Sequence, residues 1–147
     1  MKILARQLTL DLYNCNEKKF TDVEAIKAAV EGVFNSGIRI ISTDIDDEHF
    51  GLVAAFKEGH VALHIYKNFK YVSVDIFTCH ESKKSDELSK SLSKYFQPEK
   101  TKSTFLKRGD FGKEKEIKPK IKVRVAPLRK IRNVGARFVR KLVYGGR

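Results

Sequence analysis

Glu58-Gly59-His60-Val61-Ala62-Leu63-His64-Ile65-Tyr66 and, after a short link, Tyr71-Val72-Ser73-Val74-Asp75-Ile76-Phe77-Thr78-Cys79 decide how this chain folds. Successive side chains of a strand point to opposite faces. Val61, Leu63 and Ile65 therefore share one side of the first run, and Val72, Val74, Ile76 and Thr78 share one side of the second. His60, Ala62, His64 and Tyr66 lie opposite the first set; Tyr71, Ser73, Asp75, Phe77 and Cys79 lie opposite the second. One face is apolar and must be covered. The other carries imidazole, carboxylate, thiol and aromatic groups, which suits a ligand site or a sheet-to-sheet dimer contact.

Two similar runs precede these, Ile38–Ile45 and Phe50–Phe56, and the links among the four contain Asp46-Asp47, Glu58-Gly59 and Asn68. Links that short favour an antiparallel meander. Ile3–Leu12 largely alternates as well and runs into the turn-like Tyr13-Asn14-Cys15-Asn16. Thr21, with Glu24 three residues on, reads as a helix N-cap, and Val23, Ile26, Ala29, Val30, Val33 and Phe34 recur at helical spacing until Gly37. Residues 85–96 read as a second helix with Leu88, Leu92, Tyr95 and Phe96 on one side, stopped at Pro98, and Thr101–Leu106 as a last strand. The order strand, helix, four strands, helix, strand predicts an α+β fold. Its form is a two-layer sandwich, an antiparallel sheet with helices on one face.

A chain of 147 residues with 41% hydrophobic content suits one domain with a closed core. It has no apolar run long enough for a transmembrane segment, and Met1-Lys2-Ile3-Leu4-Ala5-Arg6 breaks into charge too soon for a secretory signal. The expectation is a cytoplasmic protein with Cys15 and Cys79 as thiols. The net charge of +12 is concentrated near the C-terminus: residues 1–112 hold 17 Lys/Arg against 16 Asp/Glu, residues 113–147 hold 13 against 2. A nearly neutral domain, residues 1–109, thus carries a basic extension, residues 110–147.

Within the extension, Lys113–Val125 alternates charge with Ile117, Ile121, Val123 and Val125, while Pro119 and Pro127 interrupt helix, so it reads as an extended strand or a linker. Beyond it, Leu128, Ile131, Val134, Phe138 and Leu142 recur at three and four, with Arg129, Lys130, Arg132, Arg137, Arg140 and Lys141 among them. That is a basic amphipathic helix. Three readings stand for it: docking on its own dimer, salt-sensitive binding of nucleic-acid phosphates, or binding of an anionic membrane surface.

A metal centre is not expected. His60 and His64 are separated by roughly 13 Å at about 3.3 Å per strand residue, too far for one ion, and the adjacent Cys79 and His80 point apart. His49 adds another imidazole without completing a set. Lys57-Glu58-Gly59-His60 has one glycine and no following helix, so it is no phosphate loop.

Glu58-Gly59-His60-Val61-Ala62-Leu63-His64, followed by Val74-Asp75-Ile76-Phe77-Thr78-Cys79, resembles the paired signature of the prokaryotic S-adenosylmethionine decarboxylases of spermidine biosynthesis. In that family the first motif reads Glu-Ser-His-x-Ser-x-His-Thr-Trp-Pro-Glu and the second Val-Asp-x-Phe-Thr-Cys, at the same spacing. The likeness spans Leu8–Gly109, including Leu10-Asp11-Leu12-Tyr13-Asn14-Cys15 and a closing Lys107-Arg108-Gly109.

The resemblance implies a precursor in which the serine attacks the preceding carbonyl. The resulting ester cleaves by β-elimination and leaves a pyruvoyl group, which then serves as the electron sink of decarboxylation. Gly59 occupies the serine position, and a residue with neither hydroxyl nor β-carbon forms no pyruvoyl, so no cofactor is expected. Gly51 falls where a serine assists processing, and Tyr66-Lys67-Asn68 replaces the Trp-Pro-Glu. His64 then matches the processing histidine and Cys79 the acid that protonates product, while Glu58, Tyr66 and Asn68 fall at ligand-binding positions. Asn68 replaces a carboxylate expected on ribose hydroxyls and gives a weaker, uncharged hydrogen bond. On the residues alone, Cys79 also suits a small buried side chain and His64 a merely hydrogen-bonded imidazole.

Three functional readings follow. The first is a homodimeric, non-decarboxylating paralogue that binds a nucleoside or polyamine-related ligand or pairs with an active paralogue. The second is a dimeric scaffold with a basic nucleic-acid-binding arm. The third is an active enzyme trapped as its precursor by a serine-to-glycine exchange.

Overall fold

The computed structural model describes residues 3–34, 37–79, 83–110 and 118–127. Among these residues seven strands, β1 (Ile3–Tyr13), β2 (Ile38–Ile45), β3 (His49–Phe56), β4 (Gly59–Tyr66), β5 (Tyr71–Cys79), β6 (Lys100–Asp110) and β7 (Lys120–Val125), form one sheet in the order β2-β3-β4-β5-β1-β6-β7. Every neighbouring pair is antiparallel. Helix α1 (Val23–Glu31) carries the chain from β1 to β2, and α2 (Lys84–Phe96) from β5 to β6. This is the α+β two-layer sandwich that the strand alternation predicts.

The alternation becomes a core. Leu8, Leu10 and Leu12 of β1, Phe50, Leu52 and Ala54 of β3, Val61, Leu63 and Ile65 of β4, and Val72, Val74 and Ile76 of β5 are all buried. They lie beneath Ile26 and Val30 of α1 and Leu88, Leu92 and Phe96 of α2. The helices lock together through the Ser91 hydroxyl, which donates to the Ala29 carbonyl at 2.8 Å. Helix α2 stops at Gln97, whose left-handed backbone (φ 51°) turns the chain into Pro98.

Several boundaries differ from expectation. The N-cap of α1 is Asp22, not Thr21: the Asp22 carboxylate accepts the Ala25 amide at 2.9 Å, whereas the Thr21 hydroxyl points back to the Lys18 carbonyl at 3.5 Å. An ionised cap at the positive end of the helix is the stronger of the two. The helix ends at Glu31, short of Gly37, because the Gly32 and Phe34 amides close turns on Ala28 and Glu31. Phe34 still reaches the core edge, its ring 4.6 Å from that of Phe56. The Lys113–Val125 stretch resolves into β7 over Lys120–Val125, paired with β6, so the sheet runs on past residue 109. The expected helix beyond Leu128, with Arg129, Lys130, Arg132, Arg137, Arg140 and Lys141, lies outside the described residues, as does His80.

Candidate functional site: the open face of the sheet

The helices cover one face; the other gathers the polar and aromatic side chains of β1, β3, β4 and β5. Cross-strand register sets the neighbours. On this open face His60 stands opposite Phe77, Ala62 opposite Asp75, His64 opposite Ser73 and Tyr66 opposite Tyr71, whereas Gly59 and its partner Thr78 share the parity of the covered face. Asp11 also faces Ser73, and Gly51 faces His64.

At the start of β4 the backbones are drawn tightly together. The Cys79 amide donates to the Glu58 carbonyl at 2.5 Å, the carbonyl that precedes residue 59. A β-carbon placed on Gly59 would collide with the Phe77 carbonyl oxygen, 2.8 Å from its carbon and 3.0 Å from the Thr78 Cα. The space a side chain would need is occupied by strand backbone. Thr78, opposite Gly59, is fully buried, and its hydroxyl has no hydrogen-bond partner among the described residues. Cys79 is half-buried at the strand end, a free thiol. Next to it, His60 stacks on Phe77 at 5.3 Å and 11°, with the Arg108 guanidinium 5.8 Å from the centre of the same ring.

Farther along β4 a second cluster forms around His64. Its Nδ1 lies 3.0 Å from Nε2 of His49, one ring donating and the other accepting, with the ring centres 5.2 Å apart. Gly51 makes this approach easy: a β-carbon there would lie 3.3 Å from His49 Cε1 and 3.4 Å from His64 Nδ1. Tyr66 continues the row, 5.2 Å from His49 and 5.7 Å from Tyr71. The Tyr71 hydroxyl donates to Asp11 Oδ1 at 2.5 Å, and Tyr13 packs on Tyr71 at 5.3 Å. Burial, then the bond to Asp11, pushes the Tyr71 phenol well above its ordinary value, so it remains a neutral donor. His49 itself is placed by Asp46, whose carboxylate accepts the His49 and Glu48 amides at 2.5 and 2.8 Å.

Of the residues singled out in the sequence, Glu58, Gly59 and Cys79 come together, and His64 does not join them. His64 lies five residue steps along β4 from Gly59, roughly 16 Å at about 3.3 Å per residue. Tyr66 ends β4, and Asn68 lies beyond it in the short 3-10 turn Lys67–Phe69. Asn68 there lines a recess with Asn14, Cys15 and Gln97, away from Glu58. His49, Tyr71, Asp11 and Tyr13 were not anticipated as neighbours. Each sits at the open-face position of its strand, but only the register aligns them. Among the described residues no three His, Cys, Asp or Glu side chains converge as a metal set. None of the described helices is long and apolar enough to cross a membrane.

Comparison with known proteins converges on one family. The family model described as S-adenosylmethionine decarboxylase matches residues 6–109. The S-adenosylmethionine decarboxylase proenzyme of Methanococcus maripaludis strain S2 is 30% identical over 122 residues, 79% of this chain and 100% of that protein. The proenzyme of Thermodesulfovibrio yellowstonii is 27% identical over 123 residues, 81% of this chain and 91% of that protein. The fold matches the crystal structure of the adenosylmethionine decarboxylase from Aquifex aeolicus with a TM-score of 0.65 at 21% identity, over 80% of this chain and 100% of that one. Sequence match, element order and sheet architecture agree, and the chain belongs to the S-adenosylmethionine decarboxylase family.

Proposed function

We propose that this chain is a non-decarboxylating member of its family, a pseudoenzyme that works as a cytoplasmic homodimer built on the open face of the sheet. One observation carries the reading. Residue 59 is glycine, and the place where its side chain would begin is filled by the Phe77 carbonyl. A pyruvoyl group needs an oxygen nucleophile and a β-carbon at that position, and Gly59 offers neither. The residues present therefore do not fit the family cofactor. The dimer reading rests on what the open face leaves in solvent: Tyr66, Ile121 and Val123, at 38%, 59% and 53% exposure. Exposed carboxylate at Asp75 and the stacked rings suit a nucleoside or polyamine-related ligand on the same face.

Intact mass and carbon dioxide release test the reading together. The purified chain should run as one species of 16.8 kDa and release no labelled carbon dioxide from S-adenosylmethionine. Natural cleavage before residue 59, or release of the label, overturns it. In Gly59→Ser the chain should stay uncut and its thermal midpoint should fall by roughly 3–10 °C, since overpacking costs about 1–3 kcal/mol. Self-cleavage of that variant would restore the trapped-precursor reading. Mixing with an active paralogue tests the regulatory form: a mixed oligomer with a raised decarboxylation rate is expected, and an unchanged rate with no mixed oligomer removes it. Thermal-shift screening with adenosyl compounds and polyamines identifies the ligand class, because a binder protects the native state by mass action.

A further inference from the structure

The helix-covered side of the sheet has a groove unconnected with the family site. It runs between α2 and β7, encloses about 530 Å³, and has Leu8 and Phe105 on its floor. Among the described residues its walls carry Lys90 from α2 and Lys120, Lys122 and Arg124 from β7, against the single carboxylate of Asp86. None of these four cations makes a salt bridge among the described residues. Ser89, Ser93, Thr101 and Ser103 add hydroxyls between them. The family model matches residues 6–109 and β7 lies beyond that span; the groove exists only because β7 extends the sheet beside α2.

We propose that this groove binds the phosphodiester backbone of single-stranded nucleic acid. Lys120, Lys122 and Arg124 alternate along one side of an extended strand, a row of positive charge repeating at roughly 6.6 Å for a rise of about 3.3 Å per residue. A linear polyanion with regularly spaced charges matches such a row better than a compact one. Hydroxyls and cations are the groups that hold phosphate oxygens and sugars without reading bases. The cations form a single row along one strand, which suits the single line of phosphates of one nucleic-acid strand. With Phe105 as its only aromatic ring among the described residues, the groove offers little stacking, so recognition is of backbone and indifferent to sequence. In the sequence, residues 126–147 after β7 add seven Lys/Arg and no Asp/Glu.

Anisotropy of a labelled mixed-sequence 12-mer, titrated with the full chain at several salt concentrations, tests this. Binding should weaken steeply with salt, and Lys120→Gln/Lys122→Gln/Arg124→Gln should weaken it at least tenfold and lower the log–log salt slope by about 2, at about 0.7 per single-strand phosphate. Lys90→Gln, on an exposed helical position, should weaken binding with an unchanged thermal midpoint, which separates loss of contact from loss of fold. The single strand should bind more tightly than the duplex of the same sequence, and tripolyphosphate should compete. No binding at low salt, preference for the duplex, or full affinity in both groove variants overturns the assignment. So does loss confined to an Arg137→Gln/Arg140→Gln/Lys141→Gln protein, which would place the contact on the segment beyond β7. All these readouts are independent of decarboxylation.

Discussion

Two thiols of one chain sit in opposite environments. Cys15 is 3% exposed, its Sγ 3.5 Å from the Leu12 carbonyl, and burial pushes its thiol up to about 12. Cys79 is half-buried at the end of β5 on the open face. A maleimide or disulfide reagent at pH 8 should therefore modify Cys79 and leave Cys15 untouched in the native protein, with denaturant exposing both; peptide mass mapping checks this. Equal labelling of the two would mean that Cys15 is not enclosed. The raised thiol also has a linkage consequence. Its folded value lies above the unfolded value of about 8.5, so the stability it confers is complete below pH ~8.5 and is lost as pH rises towards 12. At the same scale, Gly59 was legible as a missing hydroxyl. The closeness of the Phe77 carbonyl was not, because it depends on a strand eighteen residues later in the sequence.

Helix α2 holds the two layers together through a stripe at four-residue spacing, Leu88, Leu92 and Phe96, each fully buried. Phe96 also packs against Phe20 at 6.0 Å and edge-on to Tyr95 at 4.9 Å. Phe96→Ala should destabilise the fold by about 3–5 kcal/mol, read from urea unfolding, since the cavity lies where neither helix nor sheet can collapse into it. Leu92→Ala should cost about 2–5 kcal/mol for the same reason. The elements most visible in the sequence were those with strict periodicity, such as β4, β5 and α2. Those misjudged depended on competition between local groups: Asp22 outranks Thr21 as a cap, and Gly32 rather than Gly37 marks the end of α1. Lys120–Val125 was open between strand and linker because a lone edge strand is decided by its partner, here β6.

At the scale of the molecule, the described residues leave one face of the sheet uncovered, the face on which the dimer is proposed. Sedimentation equilibrium should give twice the chain mass, and Ile121→Lys/Val123→Lys should shift the protein to monomer while leaving its circular dichroism intact; a wild-type monomer at micromolar concentration would remove the dimer from the proposal. Charge adds a second asymmetry, with the basic groove on the helix side and the His, Tyr and Asp cluster on the other. The sequence by itself determined the class of fold, the family, and the lack of an oxygen at residue 59, because strand alternation, motif spacing and side-chain chemistry are local properties. Only the tertiary structure decided that His64 meets His49 rather than Cys79, that backbone fills the place of a side chain at Gly59, and that β7 and α2 enclose a cationic groove. Those outcomes depend on register and on the order of strands in the sheet, which are set by contacts between residues far apart in the chain.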